Sequence, residues 1–335
     1  MTPMLDRRQI LAGLAATAAL PAWAGQVGAY PAATRTAMVP VEGGRIFVRV
    51  NGDLTGPRPP IVFIHGGPGG THGHYLQALP LADPRNDGRA VILYDQLGSG
   101  RSDRPAGRDW WRVARFVDEL DAIRRALGVS RWHVCGHSWG GTIALEYGAR
   151  RPAGLASLIL ASPLVSTRSW IADADLLRRE LPPAVQADLL ACDRPTPPQT
   201  VCDAATTAFY AAFNGRETPS PAYRAAVRAD VGAGGNDTLY QGMWGKSEFV
   251  ATGTLRDYDG EPLLARLDGA RTLFMGGQYD EARPATLLDF ARRVPGAEYA
   301  VVPGAAHGLF TDRQAETLGI LRGWLARHDL GHDPA

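Results

Sequence analysis

The sequence VCGHSWGGTIALEYG, from Val134 to Gly148, joins an apolar run to a helix-forming run through a serine flanked by glycines. This pattern predicts a strand that enters a helix through a very tight turn, because only glycine lets neighbouring backbones approach so closely. Ser138 has two possible interpretations. It is either a helix cap on a glycine-rich turn or a nucleophile held at the tip of the turn, as the pattern G-x-S-x-G suggests.

Apolar runs of strand length alternate with helical patterns along most of the chain. Strands alternating with helices predict an α/β protein with a mostly parallel central sheet flanked by helices. The predicted strands span residues 45–50, 59–66, 88–96, 131–136, 155–162, 270–277 and 297–304, and the main predicted helices 111–127, 139–150, 284–293 and 312–328.

This alternation stops between residues 163 and 261, where the sequence predicts short helices and loops. We expect residues 163–261 to form a cap domain, and residues 25–162 and 262–335 to form the core domain. Ligands of open α/β sheets bind at the carboxyl ends of the strands. The cap is therefore expected to cover the functional edge of the sheet.

Three residues have the types and the order of a catalytic triad. A serine hydroxyl is a weak nucleophile that needs a base, and the base needs an orienting acid. In this architecture the acid and the base come after the serine, each in the loop after a late strand. Asp280 and His307 hold those positions. We predict Ser138 as the nucleophile, Asp280 as the acid and His307 as the base.

The motif HGGPGG, at residues 65–70, comes after a buried strand and predicts a loop that binds an oxyanion. A tetrahedral intermediate needs two backbone N–H donors, one from the residue after the nucleophile and one from this loop. Trp139 and Gly67 are the predicted donors. No Lys-Ser or Lys-Thr pair comes after the glycines, which disfavours a phosphate-binding loop. His65 and His137 lie too early in the chain to be the base, and His65 is expected to shape the loop.

The first 24 residues predict an export signal. Arg7 and Arg8 precede an uncharged apolar run, and Ala22-Trp23-Ala24 fits the small-x-small pattern of a cleavage site. The run is too short to anchor the mature protein in a bilayer, so no stable membrane insertion is expected. The paired arginines resemble a twin-arginine signal, which predicts transient contact with that export machinery and a periplasmic or secreted protein.

The net charge and the positions of the cysteines and histidines indicate which partners and cofactors to expect. The net charge is +1 and no run of Lys and Arg exceeds two residues, so nucleic acid is not expected as a partner. Cys192 and Cys202 would be able to pair in an oxidising compartment, but their spacing alone does not decide this. Cys135 is expected in the core. No Cys/His grouping has metal-ligand spacing, so we expect neither a metal nor another cofactor.

Five motifs together resemble one family. HGGPG, YDQLGSGRSD, GHSWGG, GGQYDEARP and GAAHG occur in the order found in proline iminopeptidases, and the similarity spans about residues 39–324. The resemblance implies an α/β-hydrolase fold with a largely helical cap inserted after the sixth strand. It also implies the same triad of Ser138, Asp280 and His307, and removal of an N-terminal residue, often proline, from short peptides or amides.

The resemblance also implies how the substrate's free amine is bound. This family uses one carboxylate from the cap and one beside the triad acid. Glu248 lies in a segment that resembles the family's cap motif, and Glu281 comes directly after Asp280. A desolvated ammonium needs compensating negative charge, so the arrangement is physically sound. The alternative is that both are solvated loop acids.

The expected activity is therefore that of a serine aminopeptidase or amidase that forms an acyl-enzyme. It would release proline or another small or apolar residue from a short peptide or an amino-acid amide. A carboxylesterase with the same triad is the alternative, although its substrates carry no cation for Glu248 and Glu281. A non-catalytic binding protein is disfavoured because the triad is intact. Fold relatives with aspartate at the nucleophile position are excluded by Ser138.

Overall fold

The computed structural model describes residues 30–193, 198–246 and 248–330, and its central element is an eight-stranded sheet. The strand order is β1-β2-β4-β3-β5-β6-β7-β8. The β1–β2 and β2–β4 pairs are antiparallel and the other pairs are parallel. The strands are β1 Arg35–Val41, β2 Gly44–Asn51, β3 Ile61–Ile64, β4 Val91–Tyr94, β5 Trp132–His137, β6 Leu155–Ala161, β7 Thr272–Gly277 and β8 Glu298–Val302.

Helices cover both faces of this sheet, as expected when the strands are apolar on both sides. One face packs against α1, α2 and α8 through an apolar core that includes Phe116, Ile143 and Leu287. The other face packs against a 3₁₀ segment, His72–Ala82, and α10 through a core that includes Leu79 and Trp324. The helices outside the cap are α1 Val113–Leu127, α2 Trp139–Ala149, α8 Pro284–Arg292, α9 Leu309–Asp312 and α10 Gln314–His328.

The cap consists of five helices between β6 and β7. They are α3 Thr167–Arg178, α4 Pro183–Cys192, α5 Gln199–Phe213, α6 Pro221–Asp230 and α7 Asp237–Met243. The cap has its own apolar cluster, in which Leu189 of α4 and Phe209 of α5 are buried. Cys192 and Cys202 form a disulfide between α4 and α5, which answers the question that their spacing left open.

The architecture agrees with the predicted α/β-hydrolase fold and its helical cap after the sixth strand. Every predicted strand is present, and five of the seven are shorter than predicted, by one to five residues. β1 was not among the predicted strands. It is a mostly exposed edge strand that contains Pro40, a residue that disfavours a strand assignment. Within the described residues, no helix is long and apolar enough to cross a membrane. The predicted signal, residues 1–24, lies outside the described residues.

Candidate active site

Ser138 occupies the tight turn between β5 and α2. Its backbone has φ 56° and ψ −124°, a conformation that non-glycine residues rarely adopt. The flanking glycines are required by close packing. A Cβ at Gly136 would lie 2.1 Å from the Gly140 carbonyl oxygen, and one at Gly140 would lie 2.2 Å from that of Ile64. The turn therefore fixes where the Ser138 side chain can be.

Asp280 and His307 meet beyond the ends of β7 and β8. The His307 Nδ1 lies 2.8 Å from an Asp280 carboxylate oxygen, and Asp280 is fully buried. Asp280 also accepts hydrogen bonds from the Ser162 hydroxyl and the backbone N–H groups of Gly277 and Ala282. Burial acts to raise the pKa of Asp280, but His307 and these donors outweigh it and lower the pKa. Asp280 is thus an ionised carboxylate that orients the imidazole.

The other nitrogen of His307 faces a second carboxylate. Its Nε2 lies 3.5 Å from an oxygen of Glu281, and the described contacts include no hydrogen bond between His307 and Ser138. Burial acts to lower the pKa of His307, whereas Glu281 and Asp280 raise it, with a net rise. The pKa of Glu281 is also raised, by burial and by the nearby charges of Glu248 and Asp280. The Glu281 carboxylate thus favours the protonated form of His307.

His137 lies against His307 and contacts its backbone. Its Nε2–H donates a hydrogen bond of 2.8 Å to the His307 carbonyl, and the two rings lie 4.4 Å apart. Burial and the neighbouring His307 lower the pKa of His137 to about 3, so the ring stays neutral. His137 thus holds the backbone of His307 in place.

The two predicted oxyanion donors lie on the same cavity as Ser138. Trp139 is the first residue of α2, and Gly67 lies in the loop after β3. Neither backbone N–H donates to another group within the described residues. A Cβ on the adjacent Gly66 would lie 3.0 Å from the Ser138 Cβ, so this loop runs directly beside the serine. Both N–H groups are available to a developing oxyanion.

A hydrogen-bonded chain fixes the oxyanion loop to the nucleophile turn. The Trp139 indole N–H donates to the Gln96 side chain at 2.8 Å. The Gln96 amide donates to the His65 carbonyl at 2.8 Å, and the Gln96 backbone N–H donates to the His65 Nε2 at 3.0 Å. Burial lowers the pKa of His65 to about 4, so its ring is neutral. These contacts agree with the expected structural role of His65.

Glu248 is held by three neutral donors from the cap. One of its oxygens accepts from the hydroxyls of Tyr210 and Tyr240, and the other accepts from the Trp170 indole N–H at 3.1 Å. Burial and the charges of Glu248 and Glu281 raise the pKa values of both tyrosines, so their hydroxyls remain protonated donors. No Lys or Arg within the described residues forms an ion pair with Glu248.

Glu281 is 5% exposed, and only one of its two carboxylate oxygens has a hydrogen-bond partner among the described residues. One oxygen accepts from the Asn214 side-chain amide at 2.7 Å, while the other has no hydrogen-bond partner among the described residues. A buried carboxylate oxygen without a partner is energetically costly. Glu281 and Glu248 border the same cavity, so a cationic ligand there would satisfy both.

The cap is joined directly to the triad loops. The carbonyl of Phe213, at the end of α5, accepts from the backbone N–H groups of both Glu281 and His307. The carbonyl of the next residue, Asn214, accepts from the N–H of Gly308 at 2.7 Å, and its side chain binds Glu281. The end of α5 therefore contacts the loops that carry Asp280 and His307.

All seven predicted site residues except Asp280, which lies behind His307, line one cavity of about 980 Å³ between core and cap. Sequence reasoning missed the residues that hold Glu248 and Glu281, because most of them are distant from these carboxylates in the chain and they form no local motif. They are Trp170, Tyr210, Asn214 and Tyr240. No group of three or more His, Cys, Asp or Glu side chains suited to a metal occurs in the part of the chain that the structure describes.

The fold and the site define an α/β hydrolase with a serine at the nucleophile position. The family described as the alpha/beta hydrolase fold matches residues 59–314. A proline iminopeptidase from Heyndrickxia coagulans is 33% identical over 288 residues, covering 86% of this chain and 97% of that protein.

Two solved structures are also similar to this chain over most of its length. The crystal structure of proline iminopeptidase from Mycobacterium smegmatis is 32% identical, with a TM-score of 0.78, and the match covers 89% of this chain and 100% of that one. The crystal structure of VinJ is 34% identical, with a TM-score of 0.78 and coverage of 88% and 99%. The chain belongs to the proline iminopeptidase family of α/β-hydrolase serine enzymes.

Proposed function

We propose that this enzyme is a serine aminopeptidase that releases an N-terminal proline or another small apolar residue from short peptides or amino-acid amides. The observation that carries the proposal is the pair of carboxylates, Glu248 and Glu281, on the same cavity as Ser138 and His307. They face the cavity without a Lys or Arg partner within the described residues, and one Glu281 oxygen is unsatisfied. The free ammonium group of a substrate would pair with both carboxylates.

The side-chain pocket next to this pair suits a small apolar residue. Trp170, Trp244 and Leu164 line the cavity together with Ser138. An aromatic wall beside two carboxylates favours a compact ring or alkyl group attached to a cation. Proline, whose ring contains its own ammonium nitrogen, has this combination.

The proposed reaction passes through an acyl-enzyme. The Ser138 hydroxyl oxygen attacks the carbonyl carbon of the first residue, and His307 Nε2 takes the hydroxyl proton. The N–H groups of Gly67 and Trp139 stabilise the oxyanion. His307 then returns the proton to the departing amine as the C–N bond breaks. Water hydrolyses the ester on Ser138 with His307 again as the base.

Substrate binding would also prepare the base. An ammonium placed against Glu281 stabilises the ionised carboxylate and disfavours a second positive charge on His307. The pKa of His307 would therefore fall when substrate binds, and the imidazole would become free to accept the proton of Ser138.

A comparison of substrates with and without the amine tests this function. Aminoacyl p-nitroanilides should be cleaved, and their N-acetylated forms should not. Glu248→Gln keeps the shape of the side chain but removes its charge, so kcat/KM for amine-bearing substrates should fall roughly 10- to 150-fold. Hydrolysis of p-nitrophenyl acetate should change little. Equal losses on both substrates would contradict amine binding and favour a carboxylesterase.

We also propose that the protein is exported through the twin-arginine route and acts in the periplasm or outside the cell. Arg7, Arg8 and the segment 22–24 support this, and the Cys192–Cys202 disulfide suits an oxidising compartment. Replacing both arginines with lysine should leave uncleaved precursor in the cytoplasm. Normal export of this variant would instead indicate the general secretory route.

A further inference from the structure

The cavity is larger than the residue to be released requires. Its volume of about 980 Å³ lies at the upper end of small-molecule sites, about 300–1,000 Å³. The carboxylates and Trp170 lie in one part, beside His307. Another part is bordered by α6 and by Pro219 before it. This second part is available to the portion of a substrate beyond the scissile bond.

Two arginines of α6 line this second part of the cavity. Arg224 and Arg228 are one helical turn apart and therefore lie on the same face of the helix. Both are exposed, and neither forms an ion pair with an acidic group in the described chain. The acidic residue that also borders this region, Glu217, is already paired with Arg313 at 3.2 Å. The local charge is consequently positive.

The helix that carries these arginines is fixed to the core. The Tyr223 hydroxyl donates to the Gly73 carbonyl at 3.1 Å, and the Ser220 hydroxyl caps the helix N-terminus. At the other end, Asp230 lies 3.0 Å from the His72 imidazole and is also bound by Arg49. The backbone positions of Arg224 and Arg228 are therefore fixed relative to the core.

The cavity thus has carboxylates in one part and free guanidinium groups in another, with Ser138 on its wall. A short peptide in its zwitterionic form has the same arrangement, an ammonium at one end and a carboxylate at the other. We propose that Arg224 and Arg228 bind the C-terminal carboxylate of short peptide substrates, so that the enzyme prefers free peptides to C-terminal amides. This inference rests on the proposed aminopeptidase function.

The test compares matched peptides that differ only at the C-terminus. Wild-type enzyme and R224Q/R228Q are assayed with Pro-Ala-Ala and Pro-Ala-Ala-NH₂, and kcat/KM is measured for each. The expected result is a wild-type preference for the free acid that falls roughly 3- to 30-fold in the variant, mainly through KM. Added salt should reduce the wild-type preference as well, because exposed charges are screened.

The matched control is R35Q/R179Q, which removes the same net charge from two exposed arginines outside the cavity. It should keep the wild-type ratio of acid to amide. A wild-type ratio near one, or an R224Q/R228Q variant that keeps a high ratio, would overturn the inference. If one of these two results is found while the wild-type enzyme still cleaves aminoacyl p-nitroanilides, only carboxylate binding by the arginines is overturned, and the proposed aminopeptidase function is not. Loss of that cleavage in the wild type would instead overturn the proposed function.

Discussion

The two walls of the cavity, one formed by the ends of the strands and one by the cap, position their polar groups by different means. On the strand side, Ser138 is held by a strained turn whose glycines touch neighbouring backbone, and Asp280 is surrounded by four hydrogen-bond donors. On the cap side, Glu248 is held by aromatic side chains from separate segments, and Arg224 and Arg228 are exposed.

This difference separates the chemistry from the choice of substrate. The strand side contains the predicted nucleophile, acid, base and oxyanion donors, and an error of about 1 Å there would be costly. The cap side contains the groups proposed to bind the two charged ends of a peptide. Changes on the strand side should therefore affect every substrate, whereas changes on the cap side should distinguish between substrates.

The largest expected effect is that of Ser138→Ala. Loss of the nucleophile should reduce kcat by several orders of magnitude for aminoacyl p-nitroanilides and p-nitrophenyl acetate alike. The melting temperature should not fall, because alanine removes only a hydroxyl that makes no hydrogen bond among the described residues. Labelling of Ser138 by a serine-directed phosphonate in the wild type provides an independent measurement. Appreciable turnover by purified Ser138→Ala would contradict the mechanism.

The same division explains what the sequence could predict. Ser138, Asp280 and His307 each come after an apolar strand, so their meeting at one sheet edge is expected from the order of the elements. The partners of Glu248 come from α3, α5 and α7, and no local pattern connects Trp170, Tyr210 and Tyr240. Their convergence depends on how cap helices pack, which hydrophobic periodicity does not specify.

Glu281 lies at the boundary between the two walls, and its removal should change the pH dependence. His307 accepts a proton only when neutral, so activity is lost as the pH falls through its pKa. Glu281 raises that pKa. Glu281→Gln should therefore move the acidic limb of kcat/KM for p-nitrophenyl acetate to lower pH, by roughly one unit. A neutral ester is used so that amine binding does not contribute.

Glu217→Gln is the matched control for this experiment. Glu217 borders the same cavity and loses the same charge, but it is exposed and paired with Arg313. Its pH profile should coincide with that of the wild type. If the acidic limb of the Glu281→Gln pH profile also coincides with that of the wild type, or moves to higher pH, Glu281 does not raise the pKa of His307.

The smallest expected effect on the chemistry comes from the cap disulfide. Cys192 and Cys202 join α4 to α5, and α5 ends at Phe213, whose carbonyl binds the backbones of Glu281 and His307. Removing a crosslink that closes a loop of about ten residues should lower the free energy of unfolding by about 2–4 kcal/mol. C192S/C202S should therefore melt at a lower temperature, as measured by calorimetry, and wild-type protein treated with a reductant should behave similarly.

Because α5 remains packed through Phe209 at assay temperature, kcat of C192S/C202S for p-nitrophenyl acetate should stay within about twofold of the wild type. A large loss of ester hydrolysis in the folded variant would mean that the cap determines the triad geometry, and the division between the two walls would not hold.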